Sequence, residues 1–328
     1  MQPGNTSSCA RSLWKITVIV WLTLGSPASA NLLIAMNDIS GQPPAVRRFD
    51  EITGSHLGIV ATSPELVEGM TVGTDGKLYV CFNNVGLGFI KKYDLTTGAF
   101  IGDFASNVNP APHRLRFGAD GNLYTAEGNG IRRFNGNTGQ DLGYFVPSST
   151  NGLNSIVGLV FQPITNDLLV TDGKRINRYD ETTGVFLGAF NAAAASAYAL
   201  RDPLFGPDGN LYIDNAVGGG AWTIERFDGV TGASLGTFVS QPDGSKQARF
   251  TFGPGGNIYS GVFTSSSQVE VRRYNGTSGA YIDTFIAPNP QLYSPFEMMF
   301  AIPEPGTSLA LVLGVRVLES LGLLHDSA

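Results

Sequence analysis

Arg133-Phe134-Asn135-Gly136-Asn137-Thr138-Gly139 is one of six copies of a pattern: a basic residue, an aromatic, Asp or Asn, three further residues, then Gly. The other copies begin at Arg48, Lys92, Arg178, Arg226 and Arg273, and the steps from one Asp or Asn to the next are 44, 41, 45, 48 and 47 residues. A period in this range, with strand-like composition, marks four-stranded units repeated around a ring. The expected fold class is all-β: a six-bladed β-propeller with four antiparallel strands per blade.

The repeat continues on both sides of the motif. After the Gly comes an aliphatic residue, usually a second Gly, and an aromatic two positions further on, as in Leu142-Gly143 with Phe145 and Leu235-Gly236 with Phe238. Such alternation is what a half-buried strand requires. Upstream lie hairpin signals such as Asp120-Gly121 before Leu123-Tyr124 and Pro207-Asp208-Gly209 before Leu211-Tyr212. There, Gly tolerates positive φ and Asp bonds its own backbone. Complete sets of four strands, A to D, start near Glu65, His113, Ile156, Leu200 and Arg249. The segments Asn31 to Met36, Ala45 to Asp50 and His56 to Ala61 match strands B, C and D without an A. Phe296 to Phe300 matches an A alone. Joining the two remnants completes a sixth blade from both ends of the chain and removes the sheet edge that a ring must avoid.

With 42 Gly, 18 Pro, 42% hydrophobic and 15% charged residues, the chain is globular and rich in turns. A net charge of −6 supplies no basic footprint for nucleic acid, and no nucleic-acid partner is expected. Residues 1–30 read as a secretory signal peptide: Arg11 and Lys15, the apolar run Ile16 to Leu24, then Ala28-Ser29-Ala30. Cleavage after Ala30 would leave Asn31 first, and Cys81 as the lone cysteine of the mature chain, read as a buried, inert thiol. The expected location is secreted or cell-surface, as a monomer.

Residues 31–302, with these repeats, resemble the NHL and related six-bladed propellers of secreted bacterial proteins. That resemblance implies a fold and a tendency to bind, and no single activity. Ile302-Pro303-Glu304-Pro305-Gly306, followed by the apolar Leu309 to Val315, resembles the PEP-CTERM sorting signal of exosortase-processed surface proteins. Residues 303–328 keep it in degenerate form: Arg316, Glu319, His325 and Asp326 interrupt or follow the apolar run, and no terminal Arg cluster stands there. Exosortase is the partner that the tail implies.

Candidate chemistry lies along the channel and on the loops. Aligned on Val72, Phe117, Phe161, Phe205, Phe252 and Phe300, the position three earlier holds Gly69, Arg114, Gly158, Asp202, Arg249 and Glu297. Period two points this set into the channel. Asp202, Arg249 and Glu297 come from consecutive blades and are expected to form a salt-bridged arc, with a small polar or anionic ligand on Arg114 and Arg249 as the sharper alternative. Gluconolactonase-like and virginiamycin-lyase-like propellers place catalytic residues around this channel, the former with a divalent cation on oxygen ligands. Here two arginines and two glycines in the ring work against such a site. His113, at the channel rim, has no partner identifiable from spacing, so no catalytic residue and no cofactor are assigned; a divalent cation belongs only to the metal-assisted lactonase or lyase alternative.

The A-B and C-D connections are tight, whereas the D-A connections are long and share one face with the B-C loops. Those B-C loops carry Asp38, Asn83, Asn84, Glu127, Asn129, Asp172, Asp214 and Asn215, most of them expected to cap turns. Tyr198, Trp222, Phe263 and Tyr293 lie close by and are placed to stack on a sugar or peptide. The resulting reading is an exported binding or scaffold module that meets a glycan, peptide or surface protein through its long-loop face.

Overall fold

Each copy of the motif builds one turn. Asn135 Oδ1 accepts the N–H groups of Asn137 and Thr138 at 3.1 and 3.0 Å and the Thr138 hydroxyl at 3.1 Å, while the Gly139 N–H closes onto the Asn135 carbonyl at 2.9 Å. Asp50, Asp94, Asp180, Asp228 and Asn275 repeat the arrangement. A short side chain with an acceptor oxygen is what reaches these donors. Gly139 has φ of +73°, and a Cβ there would lie 1.8 Å from the Phe104 carbonyl oxygen of the preceding blade, so only glycine fits. The motif's aromatic is buried in the core in all six copies. Its basic residue lies over the outer-strand phenylalanine in three: Arg133 on Phe145, Arg226 on Phe238 and Arg273 on Phe285, at 5.0 to 5.7 Å. The motif is therefore packing, inside blades and between them.

The computed structural model describes residues 30–37, 43–108, 112–150, 153, 155–173, 175–191, 200–216, 222–240, 246–265 and 268–301. The signal-peptide and sorting-tail readings fall on residues outside these, as do Asp38 and Tyr198. Blade 1 holds β1 (Asn31–Met36), β2 (Ala45–Asp50) and β3 (His56–Thr62). Blade 2 is β4 (Leu66–Val72), β5 (Lys77–Asn84), β6 (Leu87–Asp94) and β7 (Phe100–Val108). Blade 3 is β8 (His113–Phe117), β9 (Leu123–Glu127), β10 (Gly130–Phe134) and β11 (Asp141–Val146). Blade 4 is β12 (Gly158–Phe161), β13 (Leu168–Thr171), β14 (Ile176–Tyr179) and β15 (Phe186–Ala189). Blade 5 is β16 (Leu200–Phe205), β17 (Leu211–Ala216), β18 (Trp222–Phe227) and β19 (Ser234–Ser240). Blade 6 is β20 (Lys246–Phe252), β21 (Ile258–Phe263), β22 (Val269–Tyr274) and β23 (Tyr281–Ile286). β24 (Pro295–Ala301) then returns to blade 1 and pairs antiparallel with β1, Leu32 opposite Phe300 and Ile34 opposite Met298.

The six sheets are each four-stranded and antiparallel, with β24-β1-β2-β3 the composite one. This is the six-bladed propeller, closed by one C-terminal and three N-terminal strands. The one boundary that moves by more than two residues is that of β20, which starts at Lys246, three residues before Arg249. Inner strands touch in the order β20, β24, β4, β8, β12 and β16, and β20 meets blade 5 through β17 and β18, which sets blade 2 opposite blade 5 and blade 1 opposite blade 4.

Aromatic wedges seal the joints. Tyr79 packs edge-on between Phe104 of its own blade and Phe117 of the next, Tyr124 between Phe145 and Phe161, and Tyr212 between Phe238 and Phe252. At the closing joint Tyr259 sits between Phe285 and Phe300, at 4.9 and 4.8 Å. Cys81 is free and fully buried, and that burial pushes its thiol pKa well up.

Candidate functional site

Strand alternation puts every second inner-strand residue toward the axis, but the inner strands are not regular. The ladder skips one residue at Glu68 in β4, at Arg114 in β8, at Ala248 in β20 and at Phe296 in β24. In β16 it skips around Asp202 and Pro203. Arg114 and Asp202 take left-handed φ of 56° and 35° there. A bulge lets adjacent residues share one face, so residues that regular alternation would turn away also reach the axial mouth. The result is a cavity of about 200 Å³ at the start of the inner strands, lined by Glu68, His113, Arg114, Ile156, Val157, Arg201, Arg249 and Phe296. All six blades contribute to it.

Its floor is a charge network. Asp202 bridges two arginines, Oδ1 to Arg114 Nε at 2.5 Å and Oδ2 to Arg249 Nε at 2.6 Å. Glu297 Oε1 meets Arg116 Nη1 at 2.9 Å, and its Oε2 accepts the Met70 N–H at 2.7 Å. The Phe296 ring lies against both guanidinium groups, 4.7 Å from Arg114 and 5.3 Å from Arg249. The expected arc of Asp202, Arg249 and Glu297 is corrected in its pairing. Asp202 gathers Arg249 and also Arg114 from two blades away, and Glu297 finds its cation on Arg116. Glycines in the intervening blades permit these crossings: a Cβ on Gly158 would lie 2.9 Å from Asp202 N, and one on Gly69 2.8 Å from Arg114 N.

Burial opposes ionisation of Asp202, but the Arg114 and Arg249 charges outweigh it and hold its carboxyl below the usual range. Asp214 is fully buried beside this network, with only a 3.8 Å approach from Arg249 Nη1. Burial wins there, and its carboxyl is pushed up to about 8. Glu68 is raised by burial, opposed in part by Asn83 and Arg114. His113 is lowered by burial and by Arg114, which leaves a neutral imidazole at the mouth at neutral pH.

The Asp214 carboxyl has an expected consequence for stability. An unfolded Asp titrates near 3.9, so between about pH 4 and pH 8 the folded chain holds a proton that the unfolded chain releases. Its contribution is therefore full below about pH 4 and is lost as pH rises toward about 8. In Asp214→Asn this loss disappears. Urea midpoints at pH 5, 6.5 and 8 should show the variant gaining on the parent chain as pH rises; parallel curves would place the titration elsewhere. Glu127, pushed up to about 7 by burial, keeps a slope of the same sign in both proteins.

The loop-face candidates divide. His113 joins the cavity, and Trp222 stands beside it with Arg201 stacked 4.9 Å over its ring. Glu127 is fully buried and bound by Arg132 at 2.7 Å. Asp172 accepts the Arg175 N–H and the Asn177 amide and holds the B-C turn of blade 4. Tyr293 is buried, donates to the Pro43 carbonyl at 2.9 Å and carries Arg47 over its ring, which ties the closing loop to blade 1. Asn83 accepts the Gly86 N–H, as a turn cap does, whereas Asn129 accepts the N–H of Ser155 and ties the blade 3 turn to the segment before blade 4. Glu68, Arg201 and Phe296 were not among the expected site residues. Each sits one position before the set chosen by alternation, where the bulges break the period. Pro203, which cannot donate to a ladder, was the sequence signal of irregularity in β16.

A larger hollow of about 340 Å³ lies between blades 3 and 4, with Asp120, Tyr124, Arg133 and Phe161 in its wall. Asp75, Tyr79, Lys92 and Phe117 form the equivalent between blades 2 and 3. A hollow that returns with the repeat belongs to the repeat, so the axial mouth is the candidate site. Among the described residues, no three His, Cys, Asp or Glu side chains cluster closely enough to hold a metal ion.

No protein-family model matches the sequence, and no curated protein is similar to it. Solved structures do resemble the fold. A chain of the nidogen/laminin complex superposes with a TM-score of 0.64 at 14% identity, covering 84% of this chain and 100% of that one. The periplasmic gluconolactonase PpgL of Pseudomonas aeruginosa gives 0.57 at 15%, covering 84% and 99%. The WD40 β-propeller domain of Doa1 gives 0.55 at 15%, covering 85% and 87%. At such identities the likeness is one of fold.

Proposed function

We propose that this chain is an exported binding propeller whose long-loop face recognises its ligand at the axial mouth. The observation that carries the reading is the cavity itself, to which every blade contributes a residue and whose floor is already organised by the Asp202 and Glu297 ion pairs. A preformed site of this kind loses little free energy to ordering when a ligand enters. Arg114, Asp202, Arg249 and Glu297 act as that floor, holding the mouth open and charged. The lactonase or lyase alternative needs several oxygen ligands converging on a cation, and with both floor carboxylates bound to arginine, Glu68 is the one carboxylate left in the wall.

Binding is tested by closing the mouth. Val157 is half-buried in the wall, and its N–H bonds the Thr171 carbonyl at 2.9 Å whatever its side chain. Val157→Trp should fill much of the 200 Å³ and leave the blade intact. In a thermal-shift screen of glycans, peptides, metabolites and divalent cations, ligands that stabilise the parent chain should no longer stabilise the variant. A ligand that shifts both equally would place recognition elsewhere.

Export rests on the charged, apolar and small-residue order of residues 11–30 and on the place of the first strand. β1 begins at Asn31, so cleavage after Ala30 would remove nothing that blade 1 uses. Mass spectrometry of the exported protein should find Asn31 as its first residue. Met1 on that protein would refute the reading, and a C-terminus at Ala328 would show the Pro-Glu-Pro tail unprocessed.

A further inference from the structure

The mouth is polar along one diameter and apolar along another. Arg201 of blade 5 faces Glu68 of blade 2 across the ring, while Phe296 of blade 1 faces Val157 of blade 4, with Ile156 beside it. Of the three arginines in the wall, Arg114 and Arg249 are joined to Asp202. Arg201 instead lays its guanidinium over the Trp222 ring at 4.9 Å, and among the described residues no carboxylate lies within ion-pair distance of it. Opposite, Glu68 receives a single long hydrogen bond, from the Asn83 amide at 3.5 Å. His113, neutral at neutral pH, adds no charge between them. Arg201 and Glu68 thus face each other across the cavity, neither of them in an ion pair among the described residues, and Arg114 and Arg249 reach the Glu68 carboxylate only through space. They are complementary to a guest carrying the opposite charges at its two ends.

Resting on the reading of the mouth as a binding site, we propose that its ligand is a small zwitterion of amino-acid size. Its carboxylate sits on Arg201, its ammonium on Glu68 and its apolar side chain between Phe296 and Val157. The 200 Å³ available lies below the roughly 300–1,000 Å³ of pockets for drug-sized ligands, which restricts the guest to this size. An arginine at the carboxylate end suits a planar two-oxygen group, and its stacking on Trp222 fixes the fork before the ligand arrives.

The test is calorimetric titration of the full chain with leucine, with 4-methylpentanoate and isoamylamine as its two singly charged halves, and with leucinamide. Leucine should bind, and each half and the amide should bind at least tenfold more weakly, the loss expected for one charge-assisted hydrogen bond. Arg201→Gln should weaken leucine by about tenfold to a hundredfold while leaving isoamylamine unchanged, and Glu68→Gln should do the converse, sparing 4-methylpentanoate. Circular dichroism and urea midpoints of both variants check that the fold persists. Arg201→Lys, which keeps the charge without the fork, should fall between parent and Gln variant and serves if Arg201→Gln does not fold. Equal binding of leucine and 4-methylpentanoate, or of leucine by the parent and Arg201→Gln, overturns the zwitterion. No binding of leucine or of phenylalanine also overturns it. In each of those cases the wider reading stands if Val157→Trp abolishes some other ligand of the screen, and falls if it abolishes none.

Discussion

Deleting Phe296–Phe300 should leave a chain that no longer unfolds cooperatively and that aggregates at concentrations where the parent stays in solution. β24 is the inner strand of blade 1, and its loss strips β1 of one whole ladder, from Asn31 opposite Ala301 to Met36 opposite Pro295. It also removes Phe300 from the Tyr259 wedge and Met298 from the cluster that joins blades 6 and 1, and it takes Glu297 away from Arg116. A buried, apolar strand edge is thereby opened in the middle of the ring, the arrangement that sheet proteins avoid. Light scattering and a urea transition followed by tryptophan fluorescence would report the outcome. A soluble truncated chain with an unchanged midpoint would mean that the ring does not depend on its final strand. A gentler variant, Phe300→Ala, empties only the wedge and should cost about 3 kcal/mol, as large-to-small aromatic changes do.

The architecture was legible because its determinants are local and repeated. Asp or Asn, then Thr or Ser, then Gly is turn chemistry readable at one site, and six copies at one period admit few folds. The count of strands at the two ends likewise predicted the composite blade, since Asn31 to Met36 needs an inner partner and Phe296 to Phe300 needs an outer one. The site was legible only in part, because it is made where the repeat breaks. Alternation found Arg114, Asp202, Arg249 and Glu297, which share one register position. It missed Glu68, Arg201 and Phe296, which reach the mouth beside bulges that, Pro203 in β16 apart, no residue type announces. Pairing by neighbouring blade found Asp202 with Arg249 but not Asp202 with Arg114 or Glu297 with Arg116, which cross to the next blade but one past Gly158 and Gly69. Glu127, Asp214 and Tyr293 show the converse error. Expected at turns or on the loop face, each is buried. Which end of a strand the core covers is a tertiary fact, and composition near a turn does not encode it.

Asp202→Asn should be the most costly single substitution in the floor, lowering stability by about 3–5 kcal/mol, the usual loss when one partner of a buried ion pair is removed. Asn keeps the shape and tolerates the left-handed φ of 35° at this position, so the effect isolates the charge. What remains is two guanidinium groups, from Arg114 and Arg249, that one carboxylate had neutralised and that lie almost wholly out of solvent. Asp214 is a poor substitute, since its carboxyl stands 3.8 Å from the nearer arginine. A second change decides whether repulsion is the cause. Arg249→Met in the Asp202→Asn background removes one of the two cations and should restore at least about 1 kcal/mol, although the same change alone destabilises the parent; such opposite signs are the mark of coupled residues. Urea denaturation of the four proteins closes the cycle. If Asp202→Asn costs less than about 1 kcal/mol, water already screens the floor, and the mouth loses the preformed charge on which its reading as a binding site depends.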